Sequence, residues 1–435
     1  RPEGRKRPAG RVKHPFSSAA PIRPLFAAAL CGTLALTGCS GVTGNARTEP
    51  AEASGDGTLR VGLILDNTGA NSFLNGPQLA AAKLAVKEIN AAGGHKGRPV
   101  ELLPVETGQD TASQAQSLVQ ATADVVIGPT DSSHASAAVD ILSRARTPLI
   151  SPANTAAGLS SIASGGYYFR TAAADVAQGP VLAKLAKDAG AATISVVYQE
   201  GSYGSDVSAA VSASAEQAGL DVLSAVGFTP GDAGSAAASI REAQPDAVIL
   251  VARDGAQGAL AELNNAALAG SRLILSDGAF SRYGSRLGTR ALDGARAVVP
   301  GQLPSAGFQE RLLGIDPALK DVSFAAETYD AVTLAALAAA KAEDDSGRSI
   351  AASLVSVSGG TAGGTGPAGT APCASYKECL AGKASGADIN YDGESGPLAF
   401  DANGDITSAA YTVFTYGADN NPAATGVETA GRTAG

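Results

Sequence analysis

DVVIGPTDSSHASAAVDILSRARTPLIS, residues 124–151, is the stretch that decides the fold. Its β-branched core, Val125-Val126-Ile127, is flanked by Asp124 and Gly128-Pro129, which reads as a short buried strand. A helix is predicted over 133–144, and Pro148-Leu149-Ile150-Ser151 reads as the next strand. Two such strands joined through a helix lie parallel, because a crossover of this length carries the chain back to the same end of the sheet. Parallel strands are buried on both faces, so helices must cover the sheet.

The same alternation continues outward. Upstream, the sequence predicts strands at 59–65 and 100–105 and helices at 76–92 and 112–123. The first of these helices places Leu79, Ala82, Val86 and Ile89 on one face and stops at Gly93-Gly94. Downstream the pattern starts afresh, with helices at 178–189, 205–218, 233–243 and 257–268 and strands at 193–198, 221–228, 246–251 and 272–275. Two complete sets exceed one comfortable sheet, so the predicted class is α/β with two Rossmann-like lobes. Residues 346–383 look less regular, with a low-complexity mobile loop expected at 359–372 and a frayed tail from 417.

Composition sets outer limits. The 435 residues suffice for about two to three domains. At 45% hydrophobic, 5% aromatic and no Trp or Met, the core must rest on Val, Ile, Leu and Ala. The net charge of −9 conceals a basic N-terminus: residues 1–38 hold seven basic residues and one acidic one. The remainder is therefore more acidic than the whole, which argues against nucleic acid as a partner and against direct contact with an anionic membrane surface. With no initiator Met, the start of the reading frame is expected upstream.

The basic stretch ends at Arg23 and is followed by LFAAALCGTLAL at 25–36, too short for a transmembrane helix, which needs about 20 residues. Leu36-Thr37-Gly38-Cys39 resembles a lipobox. Residues 1–38 are thus expected to be a lipoprotein signal peptide, with Cys39 carrying the lipid, and 39–57 a flexible tether. The expected location is extracytoplasmic, lipid-anchored to the cell membrane. In that compartment Cys373 and Cys379 are expected to pair as a disulfide.

Several chemistries find no support. Gly364-Thr-Gly-Pro-Ala-Gly369 has G-x-G-x-x-G spacing, but it contains Pro367 and lacks a flanking strand and helix. No G-x-S-x-G or Walker A pattern occurs, and the histidines after the signal are only His95 and His134. Asp401-Ala-Asn-Gly-Asp405 lacks the ligand spacing of a calcium loop. No enzyme activity, metal or cofactor is expected.

Seven segments together carry a family resemblance: VGLIL at 61–65, AVKEINAAGG at 85–94, VIGP at 126–129, PLISPANT at 148–155, FRT at 169–171, Tyr203-Gly204 and SGPLAFDANGD at 395–405. In this order and spacing they resemble the branched-chain-amino-acid-type periplasmic binding proteins, the type I solute-binding fold. The resemblance implies two lobes with parallel central sheets, joined by three crossovers near 171–173, 299–301 and 397–401, and a ligand cleft between them. One lobe would be 58–171 plus 300–398, the other 172–299 plus 399–418, and 419–435 a disordered tail. It implies capture of an amino acid or similar polar solute by hinge closure, for an ABC permease and its ATPase, as a monomer. The alternatives are a sensing lipoprotein that signals to a membrane partner, or a binder of an amide, urea, a nucleoside or an aromatic acid.

The resemblance also assigns ligand contacts. Ser132, between the 125–127 strand and the helix that follows, and Thr155 would hold a carboxylate, where a helix dipole favours an anion. The Ala153 carbonyl and Asp277 would take the ammonium. Tyr203 would close from the second lobe, and Phe73 and Leu74 would contact the ligand side chain. Where the family often has a tyrosine after the 248–251 strand, this chain has Ala252-Arg253-Asp254-Gly255, which suits a more polar ligand. His134 is placed either beside the carboxylate site or on the surface of its helix.

Overall fold

A computed structural model describes residues 44–431, apart from 52, 68, 70, 107 and 362–369. The signal segment, Cys39 and the 364–369 glycine motif lie outside the described residues.

Five short runs form the first sheet: β1 (Arg60–Leu63), β2 (Glu101–Leu102), β3 (Val125–Ile127), β4 (Leu149–Ser151) and β5 (Tyr168–Arg170). All pair in parallel, in the order β2-β1-β3-β4-β5. β3, β4 and β5 are buried throughout, as central strands between helical layers must be. The crossovers are α1 (Asn75–Ala91), α2 (Thr111–Gln120) and α3 (Ala135–Arg144). Asp110 starts α2 by accepting the Ser113 N–H at 2.7 Å, a side-chain cap for an otherwise orphaned donor.

The second sheet has seven strands. β6 (Thr193–Gln199), β7 (Asp221–Phe228), β8 (Ala247–Val251), β9 (Leu273–Leu275) and β10 (Arg296–Pro300) pair in parallel. Their helices are α4 (Gln178–Asp188), α5 (Ser202–Gln217), α6 (Gly234–Ala243) and α7 (Ala256–Asn265). After β10 the chain returns to the first lobe through α8 (Ala306–Leu313), α9 (Ala325–Ala342), α10 (Gly347–Val357) and α11 (Tyr376–Ala384). A two-residue hairpin follows, β11 (Asp392–Gly393) with β12 (Gly396–Pro397). β13 (Ser408–Tyr416) then joins the second sheet antiparallel to β10, and β14 (Pro422–Gly431) pairs antiparallel with β13. The fold is thus two α/β lobes joined by three crossovers.

α9 is the central pillar of the first lobe. Fourteen of its 18 residues are buried, and it packs between α1 and α10. A helix apolar on all sides has to be interior. Its seven alanines within 325–339 let the neighbouring backbones come close, at no cost in helix propensity.

The first and third crossovers meet at Arg170, which is fully buried. Its Nε donates to Asp405 Oδ1 at 2.6 Å, Nη2 reaches Ser160 Oγ at 2.7 Å, and Nη1 donates to the carbonyls of Ala156 at 2.8 Å and Asn154 at 3.3 Å. One guanidinium therefore ties the end of β5, the loop after β4 and the approach to β13.

Three sequence expectations need correction. Residues 422–431 are an edge strand, not a frayed tail; their side chains are mostly exposed, and the order comes from backbone pairing with β13. The segment 44–57, read as tether, packs onto the body: Ala46 is buried, Arg47 donates to the Ala402 carbonyl at 3.3 Å with its guanidinium 4.8 Å over Phe169, and Gly55 and Gly57 donate to Asp344 and Asp345. The stretch 346–383 contains two regular helices, each capped by a serine, Ser346 and Ser375. The expected Cys373–Cys379 disulfide is present, and Cys379 sits in α11, buried in the first-lobe core.

Candidate functional site

Between the lobes lies a cleft of about 1320 Å³, lined from both sides. On the first lobe its wall is built from the ends of β3 and β4. Gly128 sits at a φ of 114°, and a Cβ there would meet the Ile64 carbonyl oxygen at 2.3 Å, so the turn out of β3 requires glycine. Asp131 then accepts the Ser133 N–H at 2.8 Å and opens the turn that leads into α3.

Ser132 faces the cleft from this turn. Its Oγ accepts the N–H groups of Thr155 at 3.1 Å and Ala156 at 3.3 Å. With its acceptor side so occupied, the hydroxyl hydrogen is the part left to donate. The partner loop is equally fixed: Ser151 Oγ accepts the Asn154 N–H at 2.9 Å, and the Asn154 amide donates to the Pro129 and Thr130 carbonyls, both at 3.0 Å. Ala153 and Thr155 project from this clamp into the cleft. The Thr155 carbonyl accepts the Asp175 N–H at 2.7 Å, and its hydroxyl is directed at the Asp175 carboxylate.

The second lobe contributes a compact polar cluster. Asp277 follows β9, and its Oδ1 accepts from Gln178 Nε2 at 2.8 Å and from the Tyr203 hydroxyl at 2.5 Å. Gln178 Oε1 accepts the Asp277 N–H at 3.1 Å, so Gln178 bonds both the backbone and the side chain of Asp277. A Cβ at Gly278 would come within 2.5 Å of the Ala252 carbonyl oxygen, so the residue after Asp277 has to be glycine. Arg253 lies 4.1 Å over the Tyr203 ring and 3.4 Å from Asp175. Burial, then the neighbouring Asp277, pushes the Asp175 carboxyl up to about 6, while Arg253 opposes the rise.

Six of the seven sequence-predicted contacts therefore line one cleft: Ser132, Ala153, Thr155, Tyr203, Asp277 and Leu74. Phe73 does not; it is 62% exposed and outside the lining, with Asn71 and Leu74 at that position instead. His134 takes the surface alternative: it points to Asp66, with Nδ1 3.0 Å from Oδ1, and does not line the cleft.

Sequence reasoning missed Asp175, Gln178 and Glu327, all of which bear on the cleft. Asp175 and Gln178 stand three apart in the first turns after the Phe169-Arg170-Thr171 crossover, a spacing that could have marked them. Glu327 and Asp330 are acids in the first turns of a largely apolar helix, which is itself a signal, because carboxylates seldom enter such a helix without a task. Burial, then Asp330, pushes the Glu327 carboxyl up to about 7. Among the described residues no group of three or more His, Cys, Asp or Glu side chains is placed to hold a metal.

Comparison with known proteins agrees with this fold. Residues 58–375 match the family described as periplasmic binding protein. A chemotactic signal transduction system substrate-binding protein, BasB of Halobacterium salinarum, is 26% identical over 82% of this chain and 86% of its own. The leucine-, isoleucine-, valine-, threonine- and alanine-binding protein of Pseudomonas aeruginosa is 31% identical over 40% of this chain and 48% of its own. Among solved structures, an ABC transporter substrate-binding protein of Desulfitobacterium hafniense in complex with Leu superposes with a TM-score of 0.61 at 19% identity, over 85% of this chain and all of the other.

Proposed function

Because the chain belongs to the periplasmic binding protein family, we propose that it captures an amino acid by closure of its two lobes and presents it to a membrane partner. The observation that carries this reading is the separation of the two kinds of recognition element across one cleft. Ser132 and the turn leading into α3 offer donors on the first lobe, and Asp277 offers a rigidly held acceptor on the second. A zwitterion is complementary to that pair. Its carboxylate meets the Ser132 hydroxyl beside helix-terminal N–H groups, and its ammonium meets Asp277 and the Ala153 carbonyl. Thr155 completes the carboxylate side when its hydroxyl turns from Asp175. Tyr203, fixed against Asp277, moves with the second lobe as the cleft closes, and Leu74 meets the ligand side chain.

In this reading the lobes divide at 171–173, 299–301 and 397–401, and the Arg170–Asp405 knot steadies the backbone on either side of the hinge. The family is extracytoplasmic. The lipid on Cys39 and delivery to an ABC permease with its ATPase are parts of the same proposal, as is a monomeric state. Sensing is the second reading, favoured by the likeness to BasB over most of the chain. Both readings use the same cleft and part only at the membrane partner.

The test is a thermal-shift screen of the purified protein against amino acids, amides, urea, nucleosides and aromatic acids. A ligand that binds only the folded state raises the melting temperature. Shifts with amino acids that vanish in Asp277→Ala support the assignment. A shift confined to ligands without an amino group contradicts it.

A further inference from the structure

The charges around the cleft are one-sided. Six carboxylates line it, those of Asp131, Asp175, Asp206, Asp254, Asp277 and Glu327, against a single basic side chain, Arg253. Arg253 is already committed, to Asp175 at 3.4 Å and to the face of Tyr203. A neutral-side-chain amino acid brings one ammonium, which Asp277 satisfies. It leaves Glu327 unanswered.

Glu327 differs from the rim acids in its position. Asp206 and Asp254 are exposed on the second lobe, whereas Glu327 stands in the first turn of α9, on the first lobe. Its own carbonyl accepts from the Thr171 hydroxyl at 2.9 Å, which fixes it beside the first crossover. Its carboxylate faces Gly301 at the second crossover, where a Cβ would come 3.1 Å from Oε1. Gly301 bridges to Tyr411, whose phenol lies within the fields of Asp277, Asp175 and Tyr203. Among the described residues no Lys, Arg or His pairs with Glu327. It is therefore a cleft-lining acid with no cationic partner, on the lobe opposite the Asp175 and Asp277 carboxylates. Closure brings these like charges together in a space that loses water, and a cation placed between them converts that repulsion into attraction.

We propose that Glu327 binds a second cationic group of the ligand, so that the cleft selects basic α-amino acids, with an ammonium or guanidinium at the end of a methylene side chain. The inference rests on the amino-acid reading above. The cleft also suits the stem between the two charges. Leu74, Phe280, Val322 and Leu398 supply apolar surface, against which a methylene chain packs while its head stays polar.

Isothermal titration calorimetry on the purified protein and on Glu327→Gln, with L-lysine, L-arginine, L-leucine and cadaverine, tests this. Lysine or arginine should bind at least about ten-fold tighter than leucine, as one charge-assisted contact implies. Glu327→Gln should weaken the basic ligand by roughly ten- to a hundred-fold and leave leucine within about three-fold, and the retained leucine site shows that the variant is folded. Cadaverine, which lacks the carboxylate, should bind more weakly than lysine. Leucine binding tighter than lysine, lysine affinity indifferent to Glu327→Gln, or cadaverine equal to lysine would each overturn the proposal. If leucine binds, is lost in Asp277→Ala, and lysine does not bind, the second-cation claim falls and the amino-acid cleft stands. If no amino acid binds and another solute does, the amino-acid reading falls and takes this inference with it.

Discussion

Replacing Arg170 with Leu should be among the most damaging single changes in the molecule. The side chain is fully buried and donates to the Asp405 carboxylate, to Ser160 and to two backbone carbonyls. Leucine matches part of its volume but none of its donors. Asp405, whose side chain is 14% exposed, would lose its bonded guanidinium and keep only the Ser160 hydroxyl, and the carbonyls of Asn154 and Ala156 would lose their donor. Breaking a buried ion pair from one side costs about 3–5 kcal/mol. Over the roughly 390 residues of the body the unfolding entropy is about 0.8 kcal/mol per kelvin, so the melting temperature should fall by about 4–6 °C. Ligand affinity should fall too, because Arg170 holds the loop that presents Ala153 and Thr155. The assay is calorimetric unfolding of Arg170→Leu and of the double variant Arg170→Leu/Asp405→Leu. The double variant should recover much of the loss, since removing both charges leaves no orphaned charge, only the two carbonyls. A loss below about 1 kcal/mol in the single variant, or no recovery in the double, would refute the reasoning.

Three further outcomes are expected. Cys39→Ala should move the protein from the membrane fraction to the soluble extracytoplasmic fraction on fractionation, and retention on the membrane would refute lipid attachment there. Reduction of the Cys373–Cys379 disulfide, which closes a loop of about seven residues, should cost roughly 2 kcal/mol in denaturant titrations, and unreduced mass spectrometry should show the linked peptide. The carboxyls of Asp175 and Asp330 are pushed up to about 6 and that of Glu327 to about 7, in each case chiefly by burial. Such groups hold their protons more tightly folded than unfolded, so stability falls as pH rises from about 4 toward 7. Glu327→Gln should flatten that slope in melting curves across the window, and an unchanged slope contradicts the assignment.

Most of the sheet architecture was legible because parallel strands announce themselves. Val125-Val126-Ile127 and Ala247–Val251 are buried on both faces, so they appear as unbroken apolar runs. β14 was not legible for the opposite reason: Pro422–Gly431 is mostly exposed, and its order comes from the partner strand. α10 and α11 flank a Gly- and Thr-rich stretch whose composition masked them. The N-terminal segment has no apolar periodicity either; Arg47, the Arg348–Glu49 pair and the Asp344–Asp345 carboxylates secure it. In the site, Ser132, Ala153 and Thr155 were assigned through the family resemblance, and their place in the cleft lining follows from their lying within five residues of a buried strand end. Gln178 meets Asp277 across 99 positions, so its spacing from Asp175 could mark it as polar machinery but not name its partner, and the acid at Glu327 was a signal that did not show which cavity it lines.

The central claim is that one cleft reads the two charges of an amino acid at two separate poles. The most direct measurement is calorimetric titration of the tightest-binding amino acid beside its N-acetyl and carboxamide derivatives, on the unmodified protein and on Asp277→Ala and Ser132→Ala. The account predicts that each derivative loses at least about ten-fold. Asp277→Ala should erase the penalty for N-acetylation, and Ser132→Ala should reduce the penalty for the carboxamide. An N-acetyl derivative that binds the unmodified protein as tightly as the free amino acid, or affinities that ignore Asp277→Ala, would contradict it.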